Sequence, residues 1–323
     1  MGPSSVVLVG KPAYYWSYMA PVAREFRRRF KTPITAVALG GDFGDSAEFI
    51  QPGKLSLLRR PRVAIAFDVW SMIAARLYAH TVVYVHHSLV GKGLVFKCNK
   101  PFRPFLFADK LCLPLQDRAS DVPPRTRRKV HITGHPPFDW LLAEPPLPRW
   151  IELLQAWGDG GRRLRVGVLC THGEFGSAHL LEDIARLRSD NCDFGVKLHG
   201  YLKNQPLPLG MRSLGDCPTA LLVDACDLVI TDHSTAAVEA HVLGVPCICF
   251  WSEALGQLQK RYPDLTELHY LKHVPCYRTI PELAALLAST LPIQSRLPTA
   301  MRHGPDGPSA ASRLLDLCMK ELS

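Results

Sequence analysis

Histidine stands at the end of several apolar runs in this chain, and an imidazole there is suited to moving a proton near neutral pH. His86 and His87 follow the run Thr81–Val85, His172 follows Leu164–Cys170, His199 follows Phe194–Leu198, and His233 follows Leu228–Asp232. Ligands of open parallel sheets bind beyond the carboxyl ends of the strands, so this repeated placement marks candidate acid–base groups in both halves. Cations accompany them. Lys92 lies in the run YVHHSLVGKG, where it offers a point charge for phosphate, and Lys197 stands two residues before His199. The glycines around Lys92 fit neither the Walker nor the dinucleotide-binding spacing.

The densest local pattern is Asp227–Phe250, DLVITDHSTAAVEAHVLGVPCICF. A buried strand ends in Thr231-Asp232, Ser234 is placed to cap the next helix, Gly244 to stop it, and Pro246 to open another strand. The free amides of that helix start, with the Ser234 and Thr235 hydroxyls beside them, form an anion site suited to a diphosphate. Ala236 and Ala237 permit close approach, and Glu239 is placed one turn further on to accept hydrogen bonds from ribose hydroxyls. A third motif, Gly134-His135-Pro136-Pro137-Phe138-Asp139, reads as a rigid turn whose Asp139 is expected to cap a helix beginning at Trp140.

Positioning such groups requires strands that alternate with helices, and the hydrophobic pattern supplies them. Strands are expected at Val6–Val9, Ile34–Leu39, Val63–Phe67, Thr81–Val85, Lys110–Leu113 and Val130–Thr133, with helices at Tyr18–Phe30 and Ser71–Ala79. After a proline- and glycine-rich connection over 140–162 the plan restarts. Strands are expected at Leu164–Leu169, Phe194–Leu198, Leu228–Thr231 and Pro246–Phe250, and helices at Leu180–Leu187, Thr235–Leu243 and, last, Ala310–Leu322. The chain has 323 residues, 47% hydrophobic and 21% charged, which excludes disorder and exceeds the size at which one core usually stops growing.

Charge divides unevenly. Residues 1–150 hold 22 Lys/Arg against 10 Asp/Glu, an excess of +12, whereas residues 151–323 hold 16 against 19, or −3, together the net +9. A basic first half suits an anionic polymer or an anionic membrane surface, and the stretch Arg24–Lys31 is a candidate for such contact. Nucleic acid is not expected as a partner, because the basic residues are not interleaved with aromatics in a recognisable module. The ten cysteines contain no CxxC pair, so no zinc site is expected and reduced, mostly buried thiols are. No apolar run is long enough for a transmembrane helix and no signal-peptide pattern stands at the start. The expectation is a cytoplasmic protein with at most peripheral contact to the inner face of the membrane.

Taken in order, these segments resemble the CDP-glycerol glycerophosphotransferase family, the teichoic-acid-type primases and polymerases of the GT-B fold. The family shows a strand followed by His-Gly and a lysine, a Gly-x-Pro-Arg-x-Asp turn, a Lys-x-His-Pro segment, and Ile-Thr-Asp-Tyr-Ser-Ser leading to an acidic residue. This chain offers His86-His87 with Lys92, Gly134 to Asp139, Lys197-Leu198-His199-Gly200, and Ile230-Thr231-Asp232-His233-Ser234-Thr235 with Glu239. Asp306-Gly307 and Arg313 are similar to the family's closing Asp-Gly and Arg. His87, Pro137, Gly200 and His233 stand where the family has glycine, arginine, proline and tyrosine.

The resemblance implies an α/β, GT-B-like protein of two Rossmann-like parallel-sheet domains facing a cleft. It implies an N-terminal acceptor-side domain over 1–148, a C-terminal nucleotide-donor domain over 149–305, and a helix over 306–323 packing back toward the first. The implied reaction moves a glycerophosphate, or a related polyol phosphate, from a CDP-linked donor to a hydroxyl of a cell-surface polymer or lipid-linked acceptor. His86 would be the general base, and His199 a second catalytic group stabilising phosphate charge. Lys197, Asp232, Ser234, Thr235 and Glu239 would hold the donor, with His87, Lys92, His172, His233 and Arg313 as further candidates. Neither a metal nor a cofactor is implied. The alternative is a GT-B glycosyltransferase using a nucleotide sugar, and a non-catalytic nucleotide- or polymer-binding protein is a third reading.

Overall fold

The computed structural model describes residues 5–40, 50–53, 60–86, 107–114, 122, 124–140, 148–157, 163–170, 177–187, 192–198, 206–215, 217–232, 234–253, 256–257, 260, 274–288 and 309–322. The chain divides into two units: Met1–Leu142 with His303–Ser323, and Ala143–Arg302. The second unit thus interrupts the first, and the chain returns to its starting unit at the end.

In the first unit the strands are β1 (Val6–Gly10), β2 (Ile34–Ala38), β3 (Ile50–Pro52), β4 (Val63–Ala66), β5 (Thr81–Val85), β6 (Lys110–Leu113) and β7 (Val130–Ile132). They form one sheet in the order β3-β2-β1-β4-β5-β6-β7, and every pairing is parallel. Such a sheet is buried on both faces, which is why its strands read as continuous apolar runs. β1 shows how one strand serves two layers. Val6 and Leu8 pack on one face with Phe26 of helix α1 (Pro12–Phe30), and Val7 and Val9 pack on the other with Met72 and Ala75 of helix α2 (Val69–Tyr78).

Helix α1 begins at Pro12, not at Tyr18 as the periodicity alone indicates. Proline suits a first helical turn because its fixed φ is already helical and its missing N–H would be unpaired there anyway. Helix α2 opens on Asp68, whose carboxylate accepts from the backbone N–H groups of Trp70 (2.9 Å) and Ser71 (3.0 Å).

The second unit opens with helix α3 (Pro148–Ala156). It continues through β8 (Leu164–Leu169), helix α4 (Ser177–Leu187), β9 (Cys192–Lys197), β10 (Met211–Ser213), helix α5 (Thr219–Asp224) and β11 (Leu228–Thr231). Helix α6 (Thr235–Val242), β12 (Cys247–Phe250), β13 (Cys276–Tyr277) and helix α7 (Ile280–Ala288) complete it. The sheet order is β10-β9-β8-β11-β12-β13, again wholly parallel. Val166, Val168, Ile230, Ile248 and Phe250 of the sheet pack with Leu180 and Ile184 of α4 and Leu283 of α7.

Strands β3, β10 and β13, each two or three residues long, were not apparent from the hydrophobic pattern, which resolves longer runs. All three lie at sheet edges, where a short strand with exposed residues limits unwanted pairing.

Helix α8 (Ala310–Lys320) completes the first unit. Leu314, Leu315 and Cys318 sit in the same core cluster as Val6, Leu8 and Phe26. Arg29 of α1 donates to Asp316 of α8 at 2.6 Å and to Glu25 of its own helix at 2.7 Å. Arg28 pairs with Glu25 at 2.7 Å, and the Arg24 guanidinium lies 5.4 Å from the Trp140 ring centroid. Much of the basic stretch Arg24–Lys31 is therefore engaged within its own unit.

Candidate functional site

In the second unit the order of strands reverses between β8 and β11, and ligands of doubly wound sheets bind at that switch point, beyond the carboxyl ends. Thr231 closes β11 there, its hydroxyl donating to the Leu169 carbonyl of β8 at 2.6 Å, so the two strand ends are tied together. Asp232 follows, wholly buried, and its carbonyl lies 3.6 Å from Sγ of Cys249 on β12.

Ser234 then adopts an extended backbone (φ −136°, ψ 149°), and its hydroxyl accepts from the Ala236 N–H at 3.2 Å. This is the cap expected from the sequence. It occupies one amide of the first turn of α6 and leaves the hydroxyl's own proton for a further acceptor. Ser234 and Thr235 are half-buried, while Ala236, Ala237 and Glu239 are buried, Glu239 at 2% exposure. The helix stops where Gly244 takes φ +71°, a left-handed conformation that glycine adopts without steric cost. A capped, small-residue helix start at a switch point is chemically an anion cradle. It can accept the negative charge of a phosphate through amides and hydroxyls without a lysine.

Lys197 ends β9, the strand beside β8. Its ammonium donates to the backbone carbonyl of Cys217, so one of its three donors serves to tie β9 to the segment preceding α5. His199 lies outside the described residues, as do His172 and His233.

In the first unit His86 follows β5 directly. Its backbone N–H donates to the Cys112 carbonyl of β6 at 2.9 Å, which extends the ladder one residue and fixes where the imidazole leaves the sheet. The side chain is 3% exposed, with the Tyr84 ring 6.3 Å away. His87 and Lys92 lie outside the described residues.

Residues Pro136–Trp140 form a single 3-10 turn, and the helix expected after Asp139 falls on residues outside those described. The Asp139 carboxylate accepts from the backbone N–H groups of Ala310 (3.0 Å) and Ala311 (2.7 Å) at the start of α8. Ser309 accepts from the Ser312 N–H at 3.1 Å, so each of the first three amides of α8 has a partner. A carboxylate caps whichever helix start the fold brings to it, and α8 starts 171 positions further along the chain.

Arg313, a candidate from its sequence position, donates from Nε to the Thr133 carbonyl at 2.8 Å. Gly134 beside it has φ +90°, and a Cβ there would collide with the Arg313 guanidinium. His135 is buried between the rings of Tyr18 (5.2 Å) and Phe138 (5.1 Å), and Trp140 donates from Nε1 to the Ser17 carbonyl at 3.0 Å. The turn, α1 and α8 are thus one interlocked assembly, which sequence reading missed because its members lie far apart in the chain, Trp140 and Ser17 by 123 positions and Asp139 and Ala310 by 171.

Among the described residues, no three His, Cys, Asp or Glu side chains are grouped to hold a metal ion, and no helix is long and apolar enough to cross a membrane.

No protein-family model matches this sequence, and no curated protein does. Solved structures do match by shape. The wall teichoic acid polymerase TagF aligns with TM-score 0.66 and 13% identity, covering 100% of this chain and 90% of that one. A UDP-N-acetylglucosamine 2-epimerase aligns at 0.61 and 13%, covering 100% and 97%. The calicheamicin glycosyltransferase CalG4 aligns at 0.58 and 13%, covering 98% of each chain. The likeness is one of fold: α/β, with two parallel-sheet units of the GT-B type.

Proposed function

We propose that this chain is a GT-B transferase that moves a glycerophosphate or related polyol-phosphate group from a CDP-linked donor to a hydroxyl of an anionic, cell-surface or lipid-linked acceptor. The observation that carries the reading is the Ser234-capped start of α6 at the β8/β11 switch point, with Thr235 beside it and Glu239 buried one turn on. Support comes from the motif resemblance and from the shape likeness to a teichoic acid polymerase that has also been soaked with CDPG.

In this reading the α6 amides and the Ser234 and Thr235 hydroxyls hold the diphosphate, and Glu239 binds the ribose. Asp232 buttresses the strand end beneath them. The acceptor hydroxyl attacks the β-phosphorus, the bond to the bridging oxygen breaks, and CMP leaves with the bonding electrons. His86 takes the hydroxyl proton, while His199 and Lys197 stabilise charge on the transferred phosphoryl group. Arg313 has a positioning role, holding the Thr133–Gly134 turn to α8.

A donor screen with purified protein tests this. CMP release coupled to a new phosphodiester supports it. Release of a nucleoside diphosphate from a nucleotide sugar supports instead a GT-B glycosyltransferase, the second reading, favoured by the shared fold of CalG4. Nucleotide binding with no turnover of any donor overturns both in favour of a non-catalytic binder.

A further inference from the structure

Eight of the described cysteines are buried or half-buried, and Cys276 alone among them is exposed. It lies on the edge strand β13, and its register partner on β12 is Cys249, which is wholly buried. Register partners on adjacent strands stand about 4.8 Å apart and project to the same face. A disulfide accepts Cα separations of roughly 4.4–6.8 Å, so this backbone already satisfies the first requirement for a cross-strand bridge. The Cys249 thiol faces the Asp232 carbonyl at 3.6 Å and the Cys276 thiol the Val274 carbonyl at 3.3 Å, so each sulfur has a defined position beside its register partner's strand. An exposed thiol registered beside a buried one is the arrangement in which the first is attacked by an oxidant and the second resolves the product.

We propose that Cys276 and Cys249 form a reversible redox pair, with Cys276 the thiol that reacts with a peroxide and Cys249 the thiol that closes the disulfide. The Cys276 thiolate attacks one oxygen of hydrogen peroxide. The O–O bond breaks, hydroxide leaves, and Cys276 becomes a sulfenic acid. The Cys249 sulfur then attacks Sγ of Cys276, its proton joins the departing hydroxyl as water, and the S–S bond forms. Two thiols are oxidised and one peroxide is reduced to water. A thiol reductant reverses the change.

The surroundings assign the two roles. Cys276 is held below the usual thiol range by the hydrogen bond from Cys249, helped by the nearby Arg278 charge, and a lowered thiol is the better nucleophile at neutral pH. Cys249 is pushed well above its usual range, first by that same hydrogen bond and then by burial, so it is inert until its neighbour has been oxidised. Cys247, two residues earlier on β12, is wholly buried and its register position is not opposite Cys276. The Cys249 Sγ that closes the bridge also lies 3.6 Å from the Asp232 carbonyl, beside the end of β11. The thiol chemistry itself does not depend on the nucleotide reading.

The test uses the full chain carrying Cys98→Ser, which leaves nine thiols, among them Cys249 and Cys276. After brief hydrogen peroxide treatment, peptide mapping is expected to find a Cys249–Cys276 linkage, a mass lower by two hydrogens, and full reversal by dithiothreitol. Before oxidation, Cys276 is expected to react with iodoacetamide at least about tenfold faster than half-buried Cys192. In the Cys249→Ser variant, dimedone should trap a sulfenic acid on Cys276 that the parent does not accumulate. The exposed Cys276→Ser substitution leaves the core intact and should abolish the linkage, which decides the matter if the Cys249 variant fails to fold. Persistent dimedone labelling of Cys276 in the parent, a linkage between other cysteines, or equal alkylation of Cys276 and Cys192 would overturn the proposal.

Discussion

The Asp139 carboxylate and the Ala311 backbone N–H meet at 2.7 Å across 172 positions of sequence, and this bond closes the first unit over the last helix. With the second bond to Ala310 it gives α8 a cap that the helix's own sequence supplies only in part, through Ser309. Asp139→Ala is expected to cost about 1–2 kcal/mol, the scale for losing an N-cap acceptor. Denaturant unfolding should show a lower midpoint with an unchanged slope.

The same carboxyl has a signature in pH. Burial pushes its pKa from 3.8 up to about 6, against the pull of the Ala311 and Ala310 amides and the Arg313 charge. Folded protein therefore holds this proton to higher pH than the unfolded chain does. The resulting stabilisation is fully present below about pH 4 and is lost as pH rises through about 6. Thermal midpoints of the parent and of Asp139→Asn, compared from pH 4 to 7, should diverge most in the parent's favour at the acid end. A difference that stays flat over that range contradicts the assignment.

Gly134 meets two demands, a left-handed backbone and room for Arg313. Gly134→Ala is expected to destabilise by about 1–3 kcal/mol. Combining it with Arg313→Ala should recover the steric part but not the backbone part, so the double variant should fall short of additive loss in a thermodynamic cycle.

Ser234→Ala removes the α6 cap and should cost about 1 kcal/mol, whereas Ser234→Gly should cost only a few tenths. If the hydroxyl also holds diphosphate, both variants should bind CDP more weakly by calorimetry. Retained affinity in both would leave Ser234 as a structural cap alone.

His86→Ala is expected to lower turnover by about 10²- to 10⁴-fold, the usual contribution of a general base. CDP affinity, measured on the same preparation, should change little. A matched loss of both would assign His86 a binding role.

Strand and helix order was legible because each long apolar run is buried on both sides, and that burial leaves an unmistakable pattern in β1, β4, β5, β8, β11 and β12. The Ser234 cap and the Gly244 stop were legible for a related reason: both act on neighbours within a few residues. The short edge strands escaped notice because two or three residues carry no period.

What the amino-acid order determined alone is therefore the local grammar: alternating parallel strands and helices, a serine-capped helix start after β11, and an imidazole directly after β5. Tertiary structure decided which distant groups meet. It brought Asp139 to α8, Arg313 to Thr133, Lys197 to Cys217 and Cys249 beside Cys276. The reason is physical. Capping and turn preferences act over a single turn of chain, whereas a buried carboxylate, guanidinium or thiol takes its partner from whatever the packed sheets and helices place beside it.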